Sequence, residues 1–147
     1  MQRTSINFAE DPSRGMSALS KHATPAVYSD AVRVELSECA LLYISGKTAI
    51  DEAHQLVGPT MLAQTEQVLK NIGKVLEHEG GTMDDIVRVR VFVTQLDPNS
   101  LRDIHAVRAR FFTKGKYPAS TLVQVDQLVR NGALIEIEAD AVLPKRG

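Results

Sequence analysis

Cysteine, tryptophan and long apolar runs are scarce or missing in this sequence of 147 residues, which has one cysteine and no tryptophan. The single cysteine, Cys39, permits neither an intramolecular disulfide nor a cysteine-rich zinc site. No apolar run approaches the roughly 20 residues of a membrane-spanning helix, and the N-terminus lacks the apolar segment of a secretory signal. We therefore expect a cytoplasmic protein that makes no membrane contact.

An excess of charge of either sign is also missing. The 17 lysines and arginines nearly balance the 18 aspartates and glutamates, so the net charge of −1 gives no general attraction to nucleic acid. Phosphate-binding glycine loops, nucleophile elbows and the HExxH and CxxC motifs are absent, and the four histidines are scattered. These absences predict no nucleic-acid partner, no metal site and no cofactor.

What the chain does contain is enough apolar material for one domain, since 44% of its residues are hydrophobic. Residues 1–27 are polar and contain Asp11-Pro12 and Thr24-Pro25, which predicts a loosely ordered N-terminal lead-in. Residues 28–147 are predicted to form a single domain with the order β-β-α-β-α-β-β. This order is typical of an α+β fold in which two helices cover one face of a mixed sheet.

Two of the predicted strands carry opposite charges on the face that the helices leave uncovered. In residues 86–94 and 133–142, apolar side chains alternate with polar or aromatic ones, which are Arg88, Arg90 and Phe92 in the first and Glu136, Glu138 and Asp140 in the second. Phe92, Leu134 and Val142 make this face too apolar to be exposed only to water. The pattern therefore favours association with other subunits.

The three carboxylates allow two interpretations. Acids two residues apart on a strand raise one another's pKa, which suits a general acid or base. Alternatively, Arg88 and Arg90 neutralise them as ion pairs, the interpretation that we favour for Glu138 and Asp140. Elsewhere, His105 borders the apolar stripe of the second helix and is either structural or a proton carrier, and Tyr28 either packs or lines a pocket.

The order of several motifs resembles the YjgF/RidA family of small imine and enamine deaminases. The resemblance covers about residues 28–143 and is carried by YISGK, VRVFVTQL, HAxxxxFF, YPASTLVQV and IEIEADAV. It implies a chorismate-mutase-like α+β fold and a homotrimer. In that assembly the sheets surround a central barrel, the helices lie outside, and three clefts lie between neighbouring subunits.

The resemblance also implies a site for a small imine or enamine. Glu136, the first acid of IEIEA, would position or activate the attacking water. Ser120 stands where the family has the arginine of a Pro-Ala-Arg motif, which binds the substrate carboxylate; without that arginine, binding would weaken by on the order of 2–4 kcal/mol. The candidate catalytic residues are Glu136 and His105, and the candidate binding residues are Ser45, Gly46, Ser120, Tyr28, Arg88 and Arg90.

Three explanations of Ser120 stay open. The substrate lacks that carboxylate, another cation replaces the arginine, or the cleft binds a ligand without catalysis; the candidate cations are Arg88, Arg90, Arg108 and Arg130. The first hypothesis is a deaminase-like hydrolase with an atypical substrate, and the alternative is a non-catalytic, ligand-binding or regulatory trimer. Ribonuclease activity, which is attached to some family members, is disfavoured by the neutral charge.

Overall fold

The computed structural model describes residues 1–8 and 27–145. Their elements are, in order, β1 (Gln2–Ile6), β2 (Ala31–Glu35), β3 (Cys39–Lys47), α1 (Met61–His78), a 3-10 turn (Met83–Asp85), β4 (Ile86–Val93), α2 (Pro98–Phe111), β5 (Ala119–Gln124) and β6 (Ile135–Pro144). The strands form one sheet in the order β1-β2-β3-β6-β4-β5. Strands β4 and β5 run parallel, and the other neighbours run antiparallel. The predicted α+β fold with two helices on a mixed sheet is confirmed.

Both helices bury one stripe each against the same core. Thr60 caps the start of α1, where its side chain accepts a hydrogen bond from the backbone N–H of Ala63. Helix α1 packs on β3 and β6 and against α2, which buries Ile104 and Val107. Within β6 the burial alternates, because the apolar side chains face the helices and the acids between them do not.

The pairing of β4 with β6 gives the charged face its layout. Arg88 lies opposite Asp140, Arg90 opposite Glu138, and Phe92 opposite Glu136, so the residues that alternation predicted on one face are cross-strand neighbours. Strict alternation predicts Val87, Val89, Val91 and Val93 on the core face of β4, but the register shifts between Ile86 and Arg88. Val87 is therefore 49% exposed, and Ile86 takes its place in the core.

The predicted lead-in over residues 1–27 does not hold for Gln2–Ile6, which form β1 and pair with β2 from Gln2 opposite Glu35 to Ile6 opposite Ala31. Ile6 is the one buried residue of β1, so the strand has no apolar alternation from which it could be predicted. Backbone hydrogen bonds to β2 hold it in the sheet. The rest of that prediction, residues 9–26, lies outside the described residues.

Candidate functional site

Glu136 lies against the backbone of β3 at a register shift. Between Ile44 and Lys47, β3 has one residue more than the stretch of β6 that it pairs with. A Cβ atom built on Gly46 would lie 2.9 Å from Cδ of Glu136, closer than such atoms can approach. Glycine at position 46 therefore makes room for the Glu136 carboxylate, and the shift in register positions both residues.

The electrostatic surroundings of Glu136 favour a carboxylate that takes up a proton readily. Burial raises the pKa of Glu136, and the negative charge of Glu138 raises it further. Within residues 1–8 and 27–145, no group donates a hydrogen bond to the Glu136 carboxylate or forms an ion pair with it. The carboxylate is therefore available to a water molecule or a ligand.

Glu138 and Asp140 differ from Glu136 in having a cationic partner. Nη1 of Arg90 lies 3.4 Å from Oε1 of Glu138 and 3.3 Å from Oδ2 of Asp140. Arg88 is exposed opposite Asp140. The β4 neighbour of Glu136 is Phe92, so the charge of Arg90 is directed at the other two acids.

Ser45 holds the segment that carries Tyr28. The Ser45 hydroxyl donates a hydrogen bond of 2.6 Å to the carbonyl of Ser29, and its backbone N–H donates to the carbonyl of Asp30. The Tyr28 side chain is 56% exposed at the start of this segment. Because the hydroxyl proton of Ser45 is used in this bond, we assign Ser45 the positioning of this segment beside Gly46.

Next to this segment is a cavity of about 290 Å³ that includes Tyr28, Gly46 and Arg130 in its lining. Two further lining residues, Asp30 and Lys47, form an ion pair with 2.8 Å between Oδ1 and Nζ. Sequence reasoning missed this pair. Lys47 ends the YISGK motif, but no pattern connects it with an aspartate 17 residues earlier.

Ser120 belongs to a second group of residues, on the helix side of the sheet. It pairs with the buried Val89 across the parallel strands β4 and β5, so its side chain points towards the helices. There it meets Arg108 of α2, whose Nη1 donates a hydrogen bond of 3.0 Å to Oγ of Ser120. The guanidinium carbon of Arg108 lies 5.9 Å from the centre of the Phe112 ring.

His105 lies on the same helix, one turn before Arg108. The two side chains line a second cavity, of about 280 Å³, together with Ala109, Phe112, Tyr117 and Pro118. Their spacing of three residues is the signal in the sequence that places them on one side of a helix. The structure thus brings His105 and Ser120 together around Arg108.

The two groups do not meet within one chain. Glu136 pairs with Phe92 on the face away from the helices, whereas Ser120 pairs with Val89 on the helix side. A site that uses Glu136 together with His105 and Ser120 therefore needs a second copy of the chain.

Two further findings concern membrane spans and metal sites among the described residues. Neither α-helix is long and apolar enough to cross a membrane. In the same part of the chain, no group of three or more histidine, cysteine, aspartate or glutamate side chains is arranged to hold a metal ion.

Comparison with known proteins gives consistent matches over most of the chain. The family model described as endoribonuclease L-PSP matches residues 19–143. A 2-iminobutanoate/2-iminopropanoate deaminase of Mus musculus is 34% identical over 116 residues, which cover 78% of this chain and 80% of that protein.

Among solved structures, Rv2704 of Mycobacterium tuberculosis, described as a member of the YjgF/YER057c/UK114 family, is 30% identical with a TM-score of 0.71; the match covers 97% of this chain and all of that one. The crystal structure of E. coli TdcF with bound serine is 26% identical with a TM-score of 0.68, and the match covers 81% of this chain and 90% of that one.

Proposed function

Because this chain belongs to the YjgF/RidA family, we propose that it hydrolyses a small reactive imine or enamine to a carbonyl compound and ammonia. The observation that carries the proposal is the half-buried carboxylate of Glu136 beside Gly46, which has no hydrogen-bond or ion-pair partner among the described residues. A deaminase relative supports the reaction class, since its name specifies 2-imino acids. Tyr28 and Gly46 line a cavity of about 290 Å³, whose lining does not include Glu136.

The reaction adds one water across a C=N bond. Glu136 takes a proton from the water as the water oxygen bonds to the imine carbon, and it passes this proton to the nitrogen, which gives a neutral carbinolamine. Glu136 then takes the hydroxyl proton of the carbinolamine and delivers it to the nitrogen, so that the C–N bond breaks, ammonia leaves and the C–O bond becomes a carbonyl. In this proposal His105 provides a second route for protons, because an imidazole has one nitrogen that donates and one that accepts a hydrogen bond.

The proposed site lies between copies of the chain. In this proposal Glu136 and Gly46 of one copy face His105 and Ser120 of the next across a cleft of a homotrimer, because the two groups lie on opposite faces of the sheet within one chain. The uncovered sheet face supports this assembly, because it exposes Tyr43 and Val142 to the extent of 46% and 38%. In a closed ring of three copies, the Glu136 group of each copy meets the Ser120 group of its neighbour, so no group is left without a counterpart.

The enzyme proposal is tested by the decay rate of imines generated in situ. The panel contains 2-iminobutanoate, 2-iminopropanoate and the uncharged imine of butanone. Wild type is expected to accelerate the decay of at least one of them, and Glu136→Gln is expected to lose about 10²- to 10⁴-fold of that acceleration, the usual contribution of a general base.

Glu77→Gln is the matched control, because Glu77 is an exposed glutamate of α1; its activity should equal that of wild type. If wild type accelerates none of the three imines over buffer, the enzyme proposal fails. The alternative, a ligand-binding or regulatory trimer without catalysis, would then describe the protein. That alternative is favoured by Ser120, which offers a neutral hydroxyl where a charged guanidinium would bind a substrate carboxylate.

A further inference from the structure

Arg108 is a guanidinium that is held in place without a carboxylate partner among the residues that the structure describes. Its Nη1 atom is bound to Oγ of Ser120, and its guanidinium lies near the ring of Phe112. Arg90 and Arg110, by contrast, lie within ion-pair distance of Glu138 and Glu66. In the described ranges 1–8 and 27–145, no acid forms an ion pair with Arg108.

Within the described part of the chain, this arrangement leaves some N–H donors of the Arg108 guanidinium without a partner. A guanidinium has five N–H donors in a fixed plane, and Ser120 takes one of them. The edge formed by Nε and Nη2 has the geometry that binds both oxygens of a carboxylate. Burial lowers the pKa of Arg108, yet an arginine stays charged at neutral pH. A half-buried positive charge without an acid partner favours an anionic ligand.

The cavity beside Arg108 suits a small ligand of this kind. Its volume is about 280 Å³, and His105 and Tyr117 provide polar atoms among the apolar surfaces of Phe112 and Pro118. A carboxylate bound to the guanidinium would thus lie within reach of an imidazole and a phenol. An uncharged ligand would leave the half-buried charge of Arg108 without a counter-charge.

We infer that Arg108 binds the carboxylate of the ligand and that Ser120 is a positioning residue for its guanidinium. The guanidinium that binds the carboxylate is then provided by helix α2, which contacts strand β5 at Ser120. The inference rests on the proposed function for the rest of the ligand, which is then a 2-imino acid and not an uncharged imine. Binding of the anion itself does not depend on catalysis.

The test is the affinity for 2-oxobutanoate, the keto acid formed from 2-iminobutanoate, measured by titration calorimetry. Arg108→Gln is expected to weaken binding about 10- to 100-fold, the usual effect of losing a charge-assisted pair of hydrogen bonds. Arg110→Gln is the matched control on the same helix and is expected to leave the affinity within about twofold of wild type. Butanone, which lacks the carboxylate, should bind equally weakly to all variants.

A rescue variant shows whether Arg108→Gln loses binding because the guanidinium is missing or because the fold is damaged. In Arg108→Gln/Ser120→Arg the guanidinium is supplied from β5, so binding of 2-oxobutanoate should recover by about tenfold over Arg108→Gln alone. Ser120→Ala should weaken binding by a few-fold, because Arg108 loses its anchor. Equal affinities of wild type and Arg108→Gln, or an equal loss in Arg110→Gln, would overturn the inference.

The outcomes distinguish this inference from the proposed function. If imine decay depends on Glu136 while Arg108→Gln binds and turns over 2-imino acids like wild type, the inference fails and the deaminase proposal stands. If 2-oxobutanoate binds through Arg108 but no imine is hydrolysed, the deaminase proposal fails and the carboxylate site stands.

Discussion

At the scale of single residues, three acids two positions apart on β6 have different surroundings. Nη1 of Arg90 lies within ion-pair distance of both Glu138 and Asp140. Glu136 has Phe92 as its cross-strand neighbour, and burial together with the charge of Glu138 raises its pKa. A carboxylate of this kind is a better proton acceptor than an ordinary surface glutamate.

Glu138→Gln is predicted to move the acid limb of the pH–rate profile to lower pH. A general base works in its ionised form, so kcat/KM falls as the pH falls through the pKa of Glu136. The charge of Glu138 raises that pKa, and its removal lowers the pKa towards the ordinary value. The measurement is kcat/KM for 2-iminobutanoate between about pH 4 and 8. An unmoved limb, or one that moves to higher pH, would contradict the assignment of Glu136 as the base; Glu77→Gln serves as control.

At the scale of elements, the register shift in β3 places backbone where a side chain would otherwise stand. The extra residue between Ile44 and Lys47 brings Gly46 against Glu136, and Ser45 ties the same point to the segment before β2. A regular strand would put a Cβ atom in the space of the carboxylate. The register shift in β3 is therefore as important to the proposed site as the Glu136 side chain, because it provides the space that the carboxylate occupies.

Gly46→Ala is predicted to lower kcat by at least about tenfold while the protein stays folded, because its Cβ displaces the carboxylate of Glu136. Gly73→Ala is the matched control, since a Cβ there would lie 3.8 Å from Sδ of Met83 and alanine favours the helix. Activity and thermal unfolding are measured for both variants. Full activity in Gly46→Ala would show that the position of the Glu136 carboxylate does not matter.

Alternation and helical periodicity predicted most of the elements, because each of these strands and helices buries one face. These patterns do not identify positions at which a charged or polar side chain is buried. In β2 the structure buries Ala31 and Arg33 towards the helices, and the charge of Arg33 is compensated by Glu35 and Glu79. The compensation of the Arg33 charge depends on Glu79, which is 46 residues away in the chain, so no local sequence pattern predicts the burial of Arg33.

The candidate site was predictable to a similar extent. The motifs singled out Glu136 and Gly46, and the structure brings them into contact. The placement of Ser120 beside Arg108 was not predictable, because it depends on which face of β5 meets α2. One candidate, Arg90, proved to be occupied by two acids that the sequence had already suggested as its partners.

At the scale of the whole molecule, the proposed function divides the site between opposite faces of the sheet. Glu136 and Gly46 would form one half-site, and His105, Arg108 and Ser120 would form the other. A homotrimer would join the half-sites of neighbouring copies into three clefts. The assembly is then a condition of activity, and a dissociated chain would be inactive even when correctly folded.

Subunit mixing tests this account most directly. Glu136→Gln and Arg108→Gln each remove one half-site, so each variant alone should lose most of its activity on 2-iminobutanoate. If the two are coexpressed and assemble at random, about a quarter of the clefts combine an intact Glu136 with an intact Arg108 of the neighbour, and activity should recover to about that fraction of wild type. Mixed trimers identified by native mass spectrometry that show no recovery would contradict a site shared between copies.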